Sequence, residues 1–202
     1  MKIEPVMLTL PGGRARLEPL GHEHAAGLLE AGRDPVVWRW LPLRQPDTLG
    51  AISEWIDGAL AQRAKGIQMP FAIIDQGENK VAGSTRFLDI QPANRGIEIG
   101  WTWIGTPWQR TSINTECKYL LMRHAFEAQG AIRVQLKTDL RNTQSQEAIK
   151  RIGAKYEGVL RKSMIMHDGH MRDSVYFSVL VEEWPEVKAR LVARLSPGVD
   201  AR

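Results

Sequence analysis

Cysteine is nearly absent. Cys117 stands alone between Glu116 and Lys118 with no CxxC or Cys/His spacing around it, which excludes a disulfide framework and argues against a zinc site. It reads as a core thiol. The five histidines lack HxxxH or similar ligand spacing, and two of them, His167 and His170, flank Asp168-Gly169, a hairpin-turn signal; no metal is expected. There is no GxxxxGK[ST] loop, so a P-loop NTPase is set aside. No apolar run approaches the roughly 20 residues of a membrane span. In the opening stretch MKIEPVMLTLPGG, Glu4 and Pro5 stand where a signal peptide would hold its apolar region, so a soluble, cytoplasmic chain without a membrane partner is expected. Charge of either sign is not in large excess: 27 Lys and Arg against 23 Asp and Glu leave +4. That surplus is too small for a DNA-binding stripe and suits a polyanionic ligand.

What is present is a mixture of well-patterned elements without repeats. A chain of 202 residues can bury a core as one domain, taken here as 1–202 with a C-terminal helix over 183–195. VMLTL and RARLEPL read as strands around the turn Pro11-Gly12-Gly13. Helical spacing runs from His22 to Gly32 and from Thr48 to Lys65. FAIID and KVAGSTRFLDI form a hairpin, and GIEIGWTWI is a further strand ahead of a helix over 114–129 ended by Gly130. IRVQLKTD, a short helix from Thr143 to Ile152, and a hairpin of KYEGVLRKSMIM with RDSVYFSVLV complete the pattern. Runs of adjacent strands with single crossovers imply an α+β fold with a mixed sheet.

The informative stretch is WQRTSINTECK, residues 108 to 118, where a strand runs straight into a helix. Such a junction leaves four helical N–H groups unsatisfied and partly positive, a natural place for phosphate. Thr111 and Ser112 are small, their hydroxyls can donate, and Arg110 adds a full charge. The same residues with Asn114 also suit simple helix capping. A second such place is RNTQSQEAIKRIGA, with Asn142 and Ser145 at a helix start; Thr143-x-x-Gln146 also fits a capping box. If the intervening helix is a crossover, both junctions face one end of the sheet. Gly100 interrupts its strand and marks a bulge that would help splay two neighbouring strands.

The blocks EIGWTWIGTPWQRTSINTECKYLLMRHAFE, NTQSQEAIKRIGA and GVLRK…DGHMRDSVYFSVLVEEWP, in this order, resemble the GNAT N-acetyltransferase superfamily, in the branch of the RimJ and RimL ribosomal-protein acetyltransferases. The resemblance implies a mostly antiparallel sheet of about seven strands flanked by helices and splayed at two central strands. It implies acetyl-CoA as co-substrate and an amine acceptor: a protein N-terminus, or a small molecule such as a polyamine or aminoglycoside. A homodimer is compatible with it. The family's Gln/Arg-x-x-Gly-x-Gly/Ala pattern falls on Gln109, Ser112 and Asn114, so both small-residue slots depart from glycine or alanine. Cofactor contacts are expected from Trp103, Ile104, Gln109, Arg110, Thr111, Ser112, Ile113, Asn114, Thr115, Asn142 and Ser145.

Acetyl transfer needs a held thioester, a neutral amine aimed at its carbonyl, and an acid for the departing sulfur. Glu98, on the strand face shared with Gly100 and Thr102 and opposite Trp101, is the candidate base; its plainer alternative is a solvated carboxylate or a partner of Arg95. Ser145 matches the family's Asn-x-x-Ser serine and is the candidate acid, with Tyr176 and Tyr156 next. Trp38, Trp40, Arg86 and Tyr176 are the candidate acceptor contacts, although the two tryptophans also suit core packing. A non-catalytic acyl-CoA-binding or RNA-associated protein is the reading from another class.

Overall fold

The computed structural model describes residues 3–195. Eight strands form one sheet: β1 (Leu8–Thr9), β2 (Ala15–Pro19), β3 (Met69–Asp75), β4 (Lys80–Gln91), β5 (Gly96–Ile104), β6 (Arg133–Asp139), β7 (Lys155–Ile165) and β8 (Met171–Leu180). Their order is β1-β2-β3-β4-β5-β6-β8-β7, and only β5 and β6 run parallel. The parallel pair needs a crossover. It is supplied by α3 (Ile113–Arg123), extended by a π-helical turn over His124–Ala128. The two-residue β1 makes the count eight instead of about seven.

Before the hairpin come α1 (Ala25–Ala31) and α2 (Leu49–Ala64), the latter capped by Thr48, whose Oγ1 accepts from the Ala51 N–H at 3.1 Å. After β6 comes α4 (Thr143–Arg151), and α5 (Trp184–Leu195) closes the described chain. Arg86 and Phe87, adjacent on β4, point to opposite faces. Arg86 lies over Trp55 of α2, whereas Phe87 meets His124 at the end of α3. The sheet is therefore covered on both sides, by α1 and α2 on one face and by α3 on the other. α5 packs on the outside of α3, with Trp184 stacked on Phe126 at 5.3 Å.

The central parallel pair is short. β5 and β6 are joined only through Gly96↔Arg133, Ile97↔Val134 and Glu98↔Gln135, and beyond Glu98 they diverge. The rest of β5, Ile99–Ile104, keeps its bonds to β4 on one side and presents a free backbone edge on the other.

Candidate active site

A bulge sets the geometry of that free edge. In the β4–β5 register, Arg86 opposes Gly100 while Ser84 opposes Trp103, so β5 carries one extra residue there. Trp101 takes the strain, with φ of +50°, a conformation uncommon for a bulky side chain. The expected bulge beside Gly100 is present, but its left-handed residue is the tryptophan after the glycine. Gly100 has another role: a Cβ there would meet Glu98 Oε1 at 3.0 Å and Leu88 Cδ2 at 3.1 Å. The extra residue also shifts the alternation. Thr102 turns to the α3 face and contacts Thr85 and Lys118, while Trp101 joins Glu98 and Gly100 on the α2 face. The expected arrangement, Thr102 beside Glu98 and Trp101 opposite, is thus corrected, because strict period-two counting fails across a bulge.

The divergence opens a cleft of about 900 Å³. One wall is β5 from Glu98 to Ile104; the opposite wall combines Leu136–Thr138 of β6 with Asn142, Gln144 and Ser145 at the start of α4. Its floor is the junction that precedes α3. There Gln109 Nε2 donates to the Ile104 carbonyl at 2.9 Å and Thr111 Oγ1 to the Trp108 carbonyl at 2.7 Å, folding the loop back on itself. Arg110 adopts φ of +61°. Ser112, at the helix N-cap, has φ of −66° and ψ of −19°, and Asn114 lies inside the helix, so neither small-residue slot needs glycine's freedom. Ser112 makes no side-chain cap bond; its hydroxyl donates to Glu116 Oε1 at 3.0 Å.

Glu116, which the sequence reading missed, anchors this junction. It is buried, and its Oε2 accepts from the Ala15 N–H of β2 at 2.7 Å. Trp108 adds a second anchor, donating to Asp75 Oδ2 at 2.9 Å. Burial alone would raise the Asp75 carboxyl; Arg14, the Gly77 N–H and Trp108 outweigh it and hold the group below its ordinary value.

Ionisable groups on the cleft wall set its electrostatics. Glu98 is 2 % exposed and lines the cleft; its Oε2 pairs with Lys137 Nζ at 3.1 Å and accepts from Gln135 Nε2 at 2.9 Å. It is neither solvated nor paired with Arg95, which donates instead to the Gly130 carbonyl. Lys118, also missed, lines the cleft from α3. Its Nζ donates to Thr102 Oγ1 at 2.8 Å, it forms no ion pair among the described residues, and burial pushes it down to about 8. Arg172 lies on the cleft wall, donates to Ser174 Oγ and the Trp40 carbonyl, and is lowered by its burial. Arg151 and Arg194 line the cleft as well.

At the α4 start, Asn142 is the N-cap: its Oδ1 accepts from the Ser145 N–H at 3.0 Å. The capping box starting at Thr143 does not form, because the helix begins at that residue and Gln146 Nε2 bonds the Leu140 carbonyl instead. Asn142 and Ser145 both line the cleft.

Trp103, Ile104, Gln109, Arg110, Thr111, Ser112, Asn114 and Thr115 line it too. Ile113 does not: it is fully buried, its side chain turned into the core by the helical phase. Among the acceptor candidates only Trp40 reaches the cleft. Trp38 is 3 % exposed, packs on Trp103 at 4.7 Å between ring centroids and donates to the Gly32 carbonyl, so its place is the core. Tyr176 lies beside the Lys137 ammonium, 5.8 Å from its ring centroid, and does not line the cleft. Arg86 is buried behind Trp101. Among the described residues no group of His, Cys, Asp or Glu is arranged to hold a metal, and no helix is long and apolar enough to cross a membrane.

A free strand edge, a helix N-terminus at its end and cations along the wall define a cleft for an extended, phosphorylated ligand. Residues 14–155 match the family model of the acetyltransferase (GNAT) domain, and the chain belongs to that family. It is 30 % identical over 107 residues, 53 % of this chain and 57 % of the relative, to the putative ribosomal N-acetyltransferase YdaF of Bacillus subtilis (strain 168). A putative acetyltransferase from T. thermophilus superposes with a TM-score of 0.87 at 41 % identity, covering 97 % of this chain and all of that one. A GCN5-related N-acetyltransferase from Brucella melitensis gives 0.90 at 32 % identity over 98 % and 88 %. Mycobacterium smegmatis RimJ, solved in complex with CoA-disulfide, shares the fold at 0.80 and 23 % identity over 94 % and 93 %. The chain is a GNAT acetyltransferase, with acetyl-CoA as its acetyl donor. The residues present fit that donor: Ser112, Asn114 and Thr115 line the cleft at the start of α3 with no side-chain cap bond from Ser112, and Arg110, Lys118 and Arg151 put positive charge on the wall.

Proposed function

We propose that the cleft acetylates a primary amine by direct attack on the thioester, with a protein N-terminus as first choice of acceptor and a polyamine or aminoglycoside as second. The observation that carries this reading is the free edge of β5 beside a buried carboxylate, Glu98, in a cleft that penetrates the sheet. The name of the B. subtilis relative supports the protein acceptor.

When bound, acetyl-CoA supplies the activated acetyl group. The start of α3 with Arg110, Thr111, Ser112, Asn114 and Thr115 would hold its phosphates, and the β5 edge at Trp103 and Ile104 its amide-bearing arm. Glu98 takes the proton that an arriving ammonium must lose, through a water. Lys137 and Gln135 fix the Oε2 side of that carboxylate and thereby its orientation. Ser145, its N–H fixed by Asn142, presents Oγ to the cleft and provides the proton for the departing sulfur. The setting we assign is the cytoplasm. There Cys117, buried and with its thiol pushed up to about 12 by burial, stays reduced and inert.

Titration calorimetry with acetyl-CoA and with dephosphorylated pantetheine tests the placement. The phosphorylated ligand should bind at least about tenfold more tightly, with affinity falling as salt rises. Equal affinity for the two would remove the phosphate-holding role of the α3 junction.

A further inference from the structure

Four buried side-chain polar atoms lack a hydrogen-bond partner among the described residues: Trp55 Nε1, Trp103 Nε1, Arg86 Nε and Arg86 Nη2. All are N–H donors, and they belong to three side chains in one cluster. The Trp55 and Trp103 rings meet at 6.3 Å, and the Arg86 guanidinium lies over the Trp55 ring at 5.2 Å and the Trp101 ring at 4.6 Å. Buried donors without acceptors are costly, and a buried guanidinium without a carboxylate more so. Arg86 is 3 % exposed, and burial lowers it to about 10. Four orphan donors and no orphan acceptor in one place call for an acceptor from outside the fold.

The free atoms of Arg86 specify which acceptor. Nη1 is used, donating to Gln68 Oε1 at 2.9 Å, and what remains is the Nε/Nη2 edge. Two other arginines of this molecule use that same edge to grip a carboxylate with both nitrogens. Arg14 holds Asp75 with 3.3 and 2.9 Å bonds, and Arg141 holds Asp139 with 3.1 and 2.9 Å bonds. That fork matches a planar carboxylate.

The location links the fork to acetyl transfer. Arg86 opposes Gly100 in the β4–β5 register, on the face that carries Glu98, and its guanidinium lies against the ring of Trp101, a residue that lines the cleft. Resting on the amine-acetylation reading, we propose that Arg86, with the indole N–H groups of Trp55 and Trp103 beside it, binds a carboxylate of the acceptor. The acceptor is then an aminocarboxylate: its amine lies toward Glu98 and its carboxylate passes Trp101 to Arg86. A free amino acid offers its α-carboxylate; a peptide that starts with Asp or Glu offers a side-chain carboxylate.

Two measurements test this. In the first, sodium acetate and acetamide are titrated into the full chain in chloride-free buffer and the thermal midpoint is followed. Acetate should raise it in a saturable way while acetamide does not, and Arg86→Lys, which keeps the charge but loses the fork, should abolish the difference. In the second, acetyl transfer from acetyl-CoA is compared for alanine against alaninamide and for Asp-Ala-amide against Asn-Ala-amide. One of the carboxylate-bearing members should exceed its amide partner at least about tenfold in kcat/KM, through KM, with the favoured pair identifying the source. In Arg86→Lys the ratio should fall toward one. Transfer to all four probes at equal rates, with no acetate-specific stabilisation, overturns the carboxylate site and leaves amine acetylation standing. Acetate stabilisation that depends on Arg86 without transfer to any probe supports the anion site and overturns its assignment to the acceptor. The acetate comparison on the unmodified chain holds even if Arg86→Lys fails to fold.

Discussion

Glu98 has two unequal oxygens. Lys137 and Gln135 hold Oε2, while Oε1 lies against the position that a side chain at residue 100 would occupy. Glu98→Gln keeps the shape and removes the acceptor of the amine proton, so kcat should fall about 10²-fold at neutral pH and recover much of the loss at high pH, where the amine is already neutral. An unchanged pH–rate profile would leave Glu98 as a partner of Lys137 and Gln135 without a part in proton transfer. Ser145→Ala should lower kcat by a similar factor, with little change in acetyl-CoA affinity by calorimetry; the reverse pattern would make Ser145 a cofactor contact. Lys118 should cost the fold stability at neutral pH. Its folded value is depressed from 10.5 to about 8, so the cost of burying the ammonium is present below pH 8 and relieved as pH rises from there toward 10.5. Lys118→Met should therefore raise the thermal midpoint at pH 7 by about 5 °C, and the gain should shrink above pH 8.

At the scale of elements, the α3 junction is held by two carboxylates from which no ligand contact is expected. Glu116→Ala leaves the buried Ala15 N–H without its acceptor and should destabilise the fold by about 1–3 kcal/mol, and it should also weaken acetyl-CoA binding because Ser112 loses its partner. Asp75 works through β3. Its folded value lies below 3.8, so the stability it supplies is complete at neutral pH and is lost as pH falls through that folded value. Asp75→Asn should flatten the acid limb of a stability–pH curve followed by tryptophan fluorescence. The elements themselves were largely legible: GIEIGWTWI is β5 residue for residue, and the helix read from Thr48 to Lys65 is α2 with those two residues as its caps. The phase of β5 was not, because a bulge is a tertiary compromise between two strands and sequence alternation continues through it. Lys118 and Glu116 escaped notice for a related reason: on an amphipathic helix a charged residue reads as solvated, and only the packed sheet shows that both are buried.

For the whole molecule, a sheet covered by helices on both faces admits a long ligand without breaking the core at the wedge between β5 and β6. The order of strands and crossovers made that wedge readable, since two strand–helix junctions facing one end of a sheet follow from a single crossover. The acceptor side was less so: Trp38 packs in the core against Trp103, Tyr176 lies beside the Lys137 ammonium without lining the cleft, and Arg86 is buried against Trp101. The most direct test of amine acetylation in this wedge is mass spectrometry of an amine panel, peptides with free N-termini and small polyamines, incubated with isotopically labelled acetyl-CoA and the protein. At least one amine should gain a single labelled acetyl group at a rate proportional to protein concentration, and Glu98→Gln should slow it at neutral pH. Tight binding of acetyl-CoA with no labelled amine in the panel would contradict the account and favour a protein that only holds the cofactor.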